Sequence, residues 1–225
     1  MINYQVVFCF LVAASRYSLS EDFYDRSHLY NPVRYEYQLA NVSKTSCTQV
    51  LTSFSEVTGK QLTRDEIVDV VVDLRKRTPT PIPEAYAKYL YDVAVPPCDV
   101  RIPPILPKLH KPVDALVHEL TVDTTSMDYH RHTNQANYLK FLHDAASALT
   151  FSGQLQLGCK DFAEERIKTM EMVFKSESNP GDKLIVYCWQ SGQREVSFQI
   201  ENLLEDRVVL QARFELYHPR VTSLY

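Results

Sequence analysis

The spacing of apolar residues changes along this chain, and the changes divide it. Over residues 34–39 apolar positions alternate at Tyr35, Tyr37 and Leu39; residues 46–54 are rich in Thr, Val and Ser; and residues 67–74 form a β-branched run, I-V-D-V-V-V-D-L. A two-residue period and branched side chains suit a half-buried pleated surface, so these stretches predict strands. Thr58-Gly59-Lys60 supplies a turn between the last two. Pro79, Pro81 and Pro83 end the strand set, and residues 84–91 fit a short helix.

The second half follows a different order. A strand over residues 115–123 leads into a helical period, in which Tyr138, Leu142, Ala145 and Leu149 share a face with Phe141 and Ala148 alongside. That spacing predicts one long helix over residues 134–151, ended by Gly153 and Gly158. Strands follow at residues 167–176, 183–190, 195–201 and 207–217, with turns at Pro180-Gly181-Asp182 and Ser191-Gly192. A strand, a long helix and four antiparallel strands make an α+β order.

Half of the 12 prolines fall between Pro96 and Pro112. Proline lacks an amide donor and fixes φ, so this stretch reads as an extended linker. The expected organisation is an N-terminal segment (1–30), a strand half (31–95), the linker (96–112) and a complete domain (113–225). Residues 35–73 and 173–214 share a strand-turn-strand-turn-strand order, a weak internal repeat whose first copy lacks the helix.

Composition narrows the function classes. Hydrophobic residues are 45% and charged residues 23% of 225, near the globular average. A net charge of −4 offers no basic footprint for nucleic acid and no attraction to an anionic membrane. With 5 glycines, the chain holds neither a G-x-G-x-x-G nor a P-loop. Five dispersed cysteines without C-x-x-C read as reduced, buried thiols rather than a zinc site. Residues 6–14 are an apolar run too short to span a bilayer. The run fits the core of a secretory signal over residues 1–15, although no Lys or Arg precedes it; a buried strand or a misplaced start within a longer protein accounts for it as well. An intracellular location is therefore favoured, with the signal as the alternative.

Chemistry concentrates between Ser126 and Leu149, in S-M-D-Y-H-R-H-T-N-Q-A-N-Y-L-K-F-L-H-D-A-A-S-A-L. Polar groups here stand at the mouth of a helix that its apolar face says is buried. Asp128 is either a loop acid or a reactive carboxylate. His132 is the residue type that titrates near neutrality. Asn134 suits a helix cap as well as a site. His130 and His132 with Asp128 are a weak metal signal without a third strong ligand, so no metal is assigned. His143 and Asp144 fit an exposed helix face, and Tyr187 with Trp189 fit core or interface. No G-x-S-x-G is present, and a Cys–His–Asn arrangement through Cys159 or Cys188 has no local signature.

The order strand, D-x-x-x-H-x-N, then a helix opening N-Y-L-x-F-L-x-D-A resembles the hot-dog-fold acyl thioesterases. The nearest patterns are the 4-hydroxybenzoyl-CoA thioesterase type and the plant acyl-ACP thioesterases, which carry two hot-dog repeats. Their signature is similar to D-x-D-x-N-x-H-V-N-N-x-x-Y before the central helix. His132-Thr133-Asn134-Gln135 and Tyr138-Leu139 fall in register with it, and Asp128 matches its second acid. Ser126 replaces the first acid, and His130 stands where Asn or Gly is usual. Pro180-Gly181-Asp182-Lys183-Leu184 matches a family G-D-x-L that leads into a strand, and Glu177 falls near an acid that some acyl-ACP thioesterases carry just before it. The match covers residues 116–217; the strand half before Pro96 is a weaker match to a repeat missing its helix.

The resemblance implies an α+β hot-dog fold, an antiparallel sheet wrapped around the long helix, with an incomplete N-terminal second repeat. It implies hydrolysis of acyl thioesters, acyl-CoA being favoured over acyl-ACP. Asp128 would act as nucleophile or as base for water, with His132, Asn134 and Glu177 completing the catalytic set and His130 and Tyr138 binding substrate. No cofactor is called for, because the thioester brings its own activated bond. A homodimer or an intramolecular pair of repeats is the expected assembly. Asp128 lies six residues before Asn134, so a carbonyl beside it would meet the unpaired amides of a helix N-terminus. Two alternatives remain: an inactive protein that binds acyl thioesters or serves as a scaffold, favoured by the departures at Ser126, His130 and Gln135, and a hot-dog dehydratase using His132 and Glu177.

Overall fold

A computed structural model describes residues 8–25, 30–93, 105–128 and 132–219. The chain forms two compact units, Met1–Ile105 and Leu106–Tyr225.

The first unit is built of strands β1 (Phe8–Leu19), β2 (Val33–Val42), β3 (Ser46–Ser55), β4 (Gln61–Asp73) and the short β5 (Thr78–Pro79), followed by helix α1 (Glu84–Val93). The long strands pair antiparallel in the order β2-β3-β4-β1, with β5 on β4. From Phe8 onward the apolar run near the start of the chain lies in β1, where Phe10 and Leu11 stand opposite Val71 and Val70. β4 extends beyond its β-branched run because its polar N-terminal part also pairs with β3, with Ser53 Oγ 2.8 Å from Thr63 Oγ1. The turn between them requires a left-handed residue, which Gly59 provides at φ +68°. Glu66 is buried with two guanidinium partners, Arg16 at 3.0 Å and Arg64 at 3.1 Å, and that pairing is what makes a buried carboxylate tolerable. The alternating stripe on β2 is covered only at one end: Leu39 is 3% exposed, whereas Tyr35 and Tyr37 are 64% and 63% exposed. β2 is the terminal strand of this unit's sheet, with a neighbour on one side only.

The second unit runs β6 (Leu116–Thr121), α2 (Gln135–Phe151), β7 (Ile167–Phe174), β8 (Lys183–Gly192), β9 (Glu195–Asn202) and β10 (Arg207–Leu216). Its sheet is antiparallel in the order β7-β10-β9-β8-β6. α2 buries Tyr138, Phe141, Leu142, Ala145, Ala146, Leu149 and Thr150, the stripe its period requires. The sheet answers with alternate residues: Leu184, Val186 and Cys188 on β8, Val196, Phe198 and Ile200 on β9, and Leu210, Ala212 and Phe214 on β10, all fully buried. Phe214 anchors this layer, its ring 4.9 Å from Phe198 and 6.3 Å from Phe162. Each large side chain so enclosed contributes about 1.5–3 kcal/mol.

The opposite face of this sheet is partly covered by the end of the linker. Gln211 Nε2 donates to the Leu109 carbonyl at 3.1 Å, and Lys111 Nζ pairs with Glu201 at 2.8 Å while lying 3.4 Å from the centre of the Tyr187 ring. A proline-rich segment keeps its carbonyls as acceptors, and the sheet supplies the donor from a side chain. Among the described residues no helix is long and apolar enough to cross a membrane.

Candidate active site

The site begins where β6 ends. Asp123 caps a 3-10 turn, Thr124–Ser126, by accepting the Thr125 amide at 2.8 Å. Met127 then bridges to Thr133, so the chain leaves and returns within a few residues. The Asp128 N–H donates to the His132 carbonyl at 2.9 Å, and the His132 N–H donates to Asp128 Oδ1 at 3.2 Å. These two bonds tie Asp128 to His132; residues 129–131, with His130, lie outside the described residues. The Ser126 carbonyl holds this stretch to the helix, accepting the Asn134 amide at 2.9 Å and Asn137 Nδ2 at 3.0 Å.

Asn134 is the N-cap of α2. Its Oδ1 accepts the Ala136 amide at 2.9 Å, and its carbonyl accepts the Asn137 amide at 2.9 Å. This corrects one expectation from the sequence: these first-turn amides are engaged rather than held open for a carbonyl, because the cap satisfies them locally. Replacing Asn134 by Ala is expected to lower stability by about 1 kcal/mol, and Asn134→Ser, which keeps a capping oxygen, is expected to restore most of it. Denaturant unfolding of the three proteins checks this, and an unchanged kcat alongside it would assign Asn134 to the cap alone.

Glu177 follows β7 and is brought to the same place. The Lys175 amide bonds to the Val209 carbonyl at 2.8 Å, and Arg207 Nη2 donates to the Glu177 carbonyl at 2.9 Å, which together fix the backbone here. Glu177 Oε2 stands 2.6 Å from His132 Nδ1, with side chains 31% and 14% exposed. The ring N–H direction is not aligned for a hydrogen bond, so the contact is an ion pair whenever the imidazole is protonated. Glu177, the His132 ring and, through the His132 backbone N–H, Asp128 form one constellation, with Asn134 at its edge. Tyr138 lies beneath it, 3% exposed, with its hydroxyl 2.9 Å from Ser178 Oγ. Burial raises the Tyr138 pKa, so the hydroxyl keeps its proton.

Two residues of this region escaped the sequence reading. Thr133 and Ser178 are buried and bonded to each other across 45 positions, and nothing local marks a small hydroxyl residue as part of a network. Cys159 and Cys188 offer no competing nucleophile. Burial pushes the Cys188 thiol up to about 12 and the Cys159 thiol up to about 11, so neither is a thiolate near neutrality. Among the described residues no group of three or more His, Cys, Asp or Glu side chains is placed to hold a metal ion.

An antiparallel sheet packed on one long helix is the hot-dog arrangement. The chain is similar to an acyl-ACP thioesterase from Bacteroides thetaiotaomicron, at TM-score 0.71 and 17% identity over 94% of this chain and 77% of that one. It is similar to the 12:0-ACP thioesterase from Umbellularia californica at TM-score 0.74 and 17% identity, over 94% and 76% of the two chains. A MaoC-like dehydratase from Phytophthora capsici follows at TM-score 0.52 and 14% identity, over 93% and 72%. At identities this low the likeness shows the fold alone, and that fold is the hot dog. No protein-family model and no curated protein matches the sequence.

Proposed function

We propose that the protein hydrolyses acyl thioesters at the start of α2. The observation that carries the reading is that the His132 ring meets Glu177 at 2.6 Å while the His132 backbone N–H holds the Asp128 carboxylate at 3.2 Å. Asp128 attacks the thioester carbonyl directly or takes a proton from the water that does. Glu177 steadies the protonated imidazole by charge at Nδ1, leaving Nε2 to hand a proton to the departing thiolate as the C–S bond breaks. The positive end of α2 stabilises the oxyanion as a whole dipole, since Asn134 occupies individual amides. Asn134 and His130 complete the proposed site, with Tyr138 buried beneath it.

A CoA thioester is the favoured substrate. A cavity of about 370 Å³ on the sheet face away from α2 is lined by Leu106, Lys108, Val173, Lys175, Val208 and Gln211, and Lys175 is two positions from Glu177 in the chain. Two ammonium groups beside an apolar hollow suit a phosphate-rich carrier, and CoA bears more phosphate than a carrier-protein arm. Both named thioesterases of similar fold act on ACP thioesters, so the carrier is a point for experiment. We read residues 113–225 as a complete hot-dog domain around α2, residues 96–112 as the linker and residues 31–95 as a partial repeat without its helix, with homodimerisation through the sheets as the proposed assembly.

Thiol release from a panel of acyl-CoA and acyl-ACP substrates tests the reading. Release by the wild type is expected, faster with acyl-CoA. Binding of acyl-CoA without release would overturn it in favour of an inactive binding or scaffold protein. A dehydratase has the His132–Glu177 contact in its favour; hydration of an enoyl-CoA without thiol release would establish it.

A further inference from the structure

Beneath the constellation lies a closed chain of hydroxyls. The Ser178 amide donates to Tyr138 Oη at 3.0 Å. Thr133 Oγ1 donates to the Ser178 carbonyl at 3.0 Å and lies 2.7 Å from Ser178 Oγ, which is itself 2.9 Å from Tyr138 Oη. Proton counting settles the direction of the two ambiguous bonds. A hydroxyl has one proton, and that of Thr133 goes to the carbonyl, so Ser178 Oγ must donate to Thr133. Ser178 Oγ then accepts from Tyr138. The order is Ser178 N–H, Tyr138 O–H, Ser178 Oγ–H, Thr133 Oγ1–H, Ser178 C=O. The chain starts and ends on one residue's own peptide groups, and each hydroxyl donates once and accepts once.

All three residues are buried, Ser178 completely, so each bond acts where water cannot replace it. Each also adjoins the site. Thr133 follows His132, Ser178 follows Glu177, and Tyr138 lies in the first turn and a half of α2. The Thr133 amide adds a further bond to the Ser178 carbonyl at 3.2 Å. The two backbones that carry the histidine and the acid are thus joined to each other and to the helix directly under the side chains that meet.

We propose that Thr133, Tyr138 and Ser178 are positioning residues that set the His132–Glu177 contact and, through it, the rate of the acyl-thioester hydrolysis on whose reading the kinetic part rests. The isosteric pair Thr133→Val and Thr133→Ser tests this. Valine keeps the shape and removes the link; serine keeps the hydroxyl and removes a methyl group. Crystal structures of both variants read the Nδ1–Oε2 separation directly. It is expected to remain near the wild-type 2.6 Å in Thr133→Ser and to open beyond hydrogen-bond reach in Thr133→Val. Turnover of acyl-CoA is expected to fall about 10²-fold in Thr133→Val through kcat, with KM unchanged, and to stay near wild type in Thr133→Ser. Tyr138→Phe, which keeps the ring packed, is expected to repeat the Thr133→Val pattern. An unchanged separation in Thr133→Val and Tyr138→Phe would overturn the positioning role whatever the activity. A separation that follows the hydroxyl in a wild type releasing no thiol would uphold the positioning role and overturn hydrolysis instead.

Discussion

Asp128→Asn is expected to slow thioester hydrolysis by about 10²–10⁴-fold while leaving the fold intact, the span that removal of a positioned acid or base produces. The argument rests on what asparagine preserves. Its side-chain oxygen still accepts the His132 amide, a bond of 3.2 Å in the native protein, and the residue 128 N–H still donates to the His132 carbonyl at 2.9 Å. What disappears is the negative charge, and with it both the nucleophile and the base. Asp128→Ala removes the acceptor as well, so the difference between the two variants reads the structural share of the residue. Initial rates of thiol release, set beside denaturant unfolding curves, make the comparison. Release at the wild-type rate by both variants would remove Asp128 as the catalyst.

Arg194→Ala is expected to destabilise the protein by about 3–5 kcal/mol, because it leaves a buried carboxylate without its partner. Arg194 and Glu165 form an ion pair with side chains 11% and 8% exposed. The same guanidinium donates to the Leu157 carbonyl at 3.1 Å and to the Tyr217 carbonyl from Nε at 3.0 Å and from Nη2 at 2.6 Å. One side chain thus holds the segment that follows α2, the start of β9 and the end of β10 together. A double-mutant cycle with Glu165→Ala should recover part of the loss, since the second substitution removes the stranded charge. Additive losses in that cycle would show that the carbonyl bonds, and not the ion pair, carry the effect.

The elements of the second unit were legible because local period decided them. The helix expected over residues 134–151 is Gln135–Phe151 with Asn134 as its cap, and the four strands after it agree to within two residues at each end. Their apolar stripes have a covered face to point at, so pattern and environment coincide. In the first unit the strand expected over residues 67–74 is the C-terminal part of β4, Gln61–Asp73. Its polar first half, Q-L-T-R-D-E, has a single apolar residue, Leu62, and is a strand because β1 and β3 pair with it on both sides. Tyr35 and Tyr37 show the converse, an alternation whose far end stays exposed.

At the site, short-range chemistry is legible in neighbouring residues. An acid and a histidine four apart bond to each other, and an asparagine before an apolar helix caps it. Only the tertiary structure decided that Glu177 stands against His132, that Thr133 and Ser178 bond across 45 residues, and that the first-turn amides are engaged. Those contacts depend on the register that places the end of β7 beside the start of α2. A contact whose partners are distant in the chain leaves no periodic mark at either end, because its free energy comes from burial that the whole sheet and helix create together.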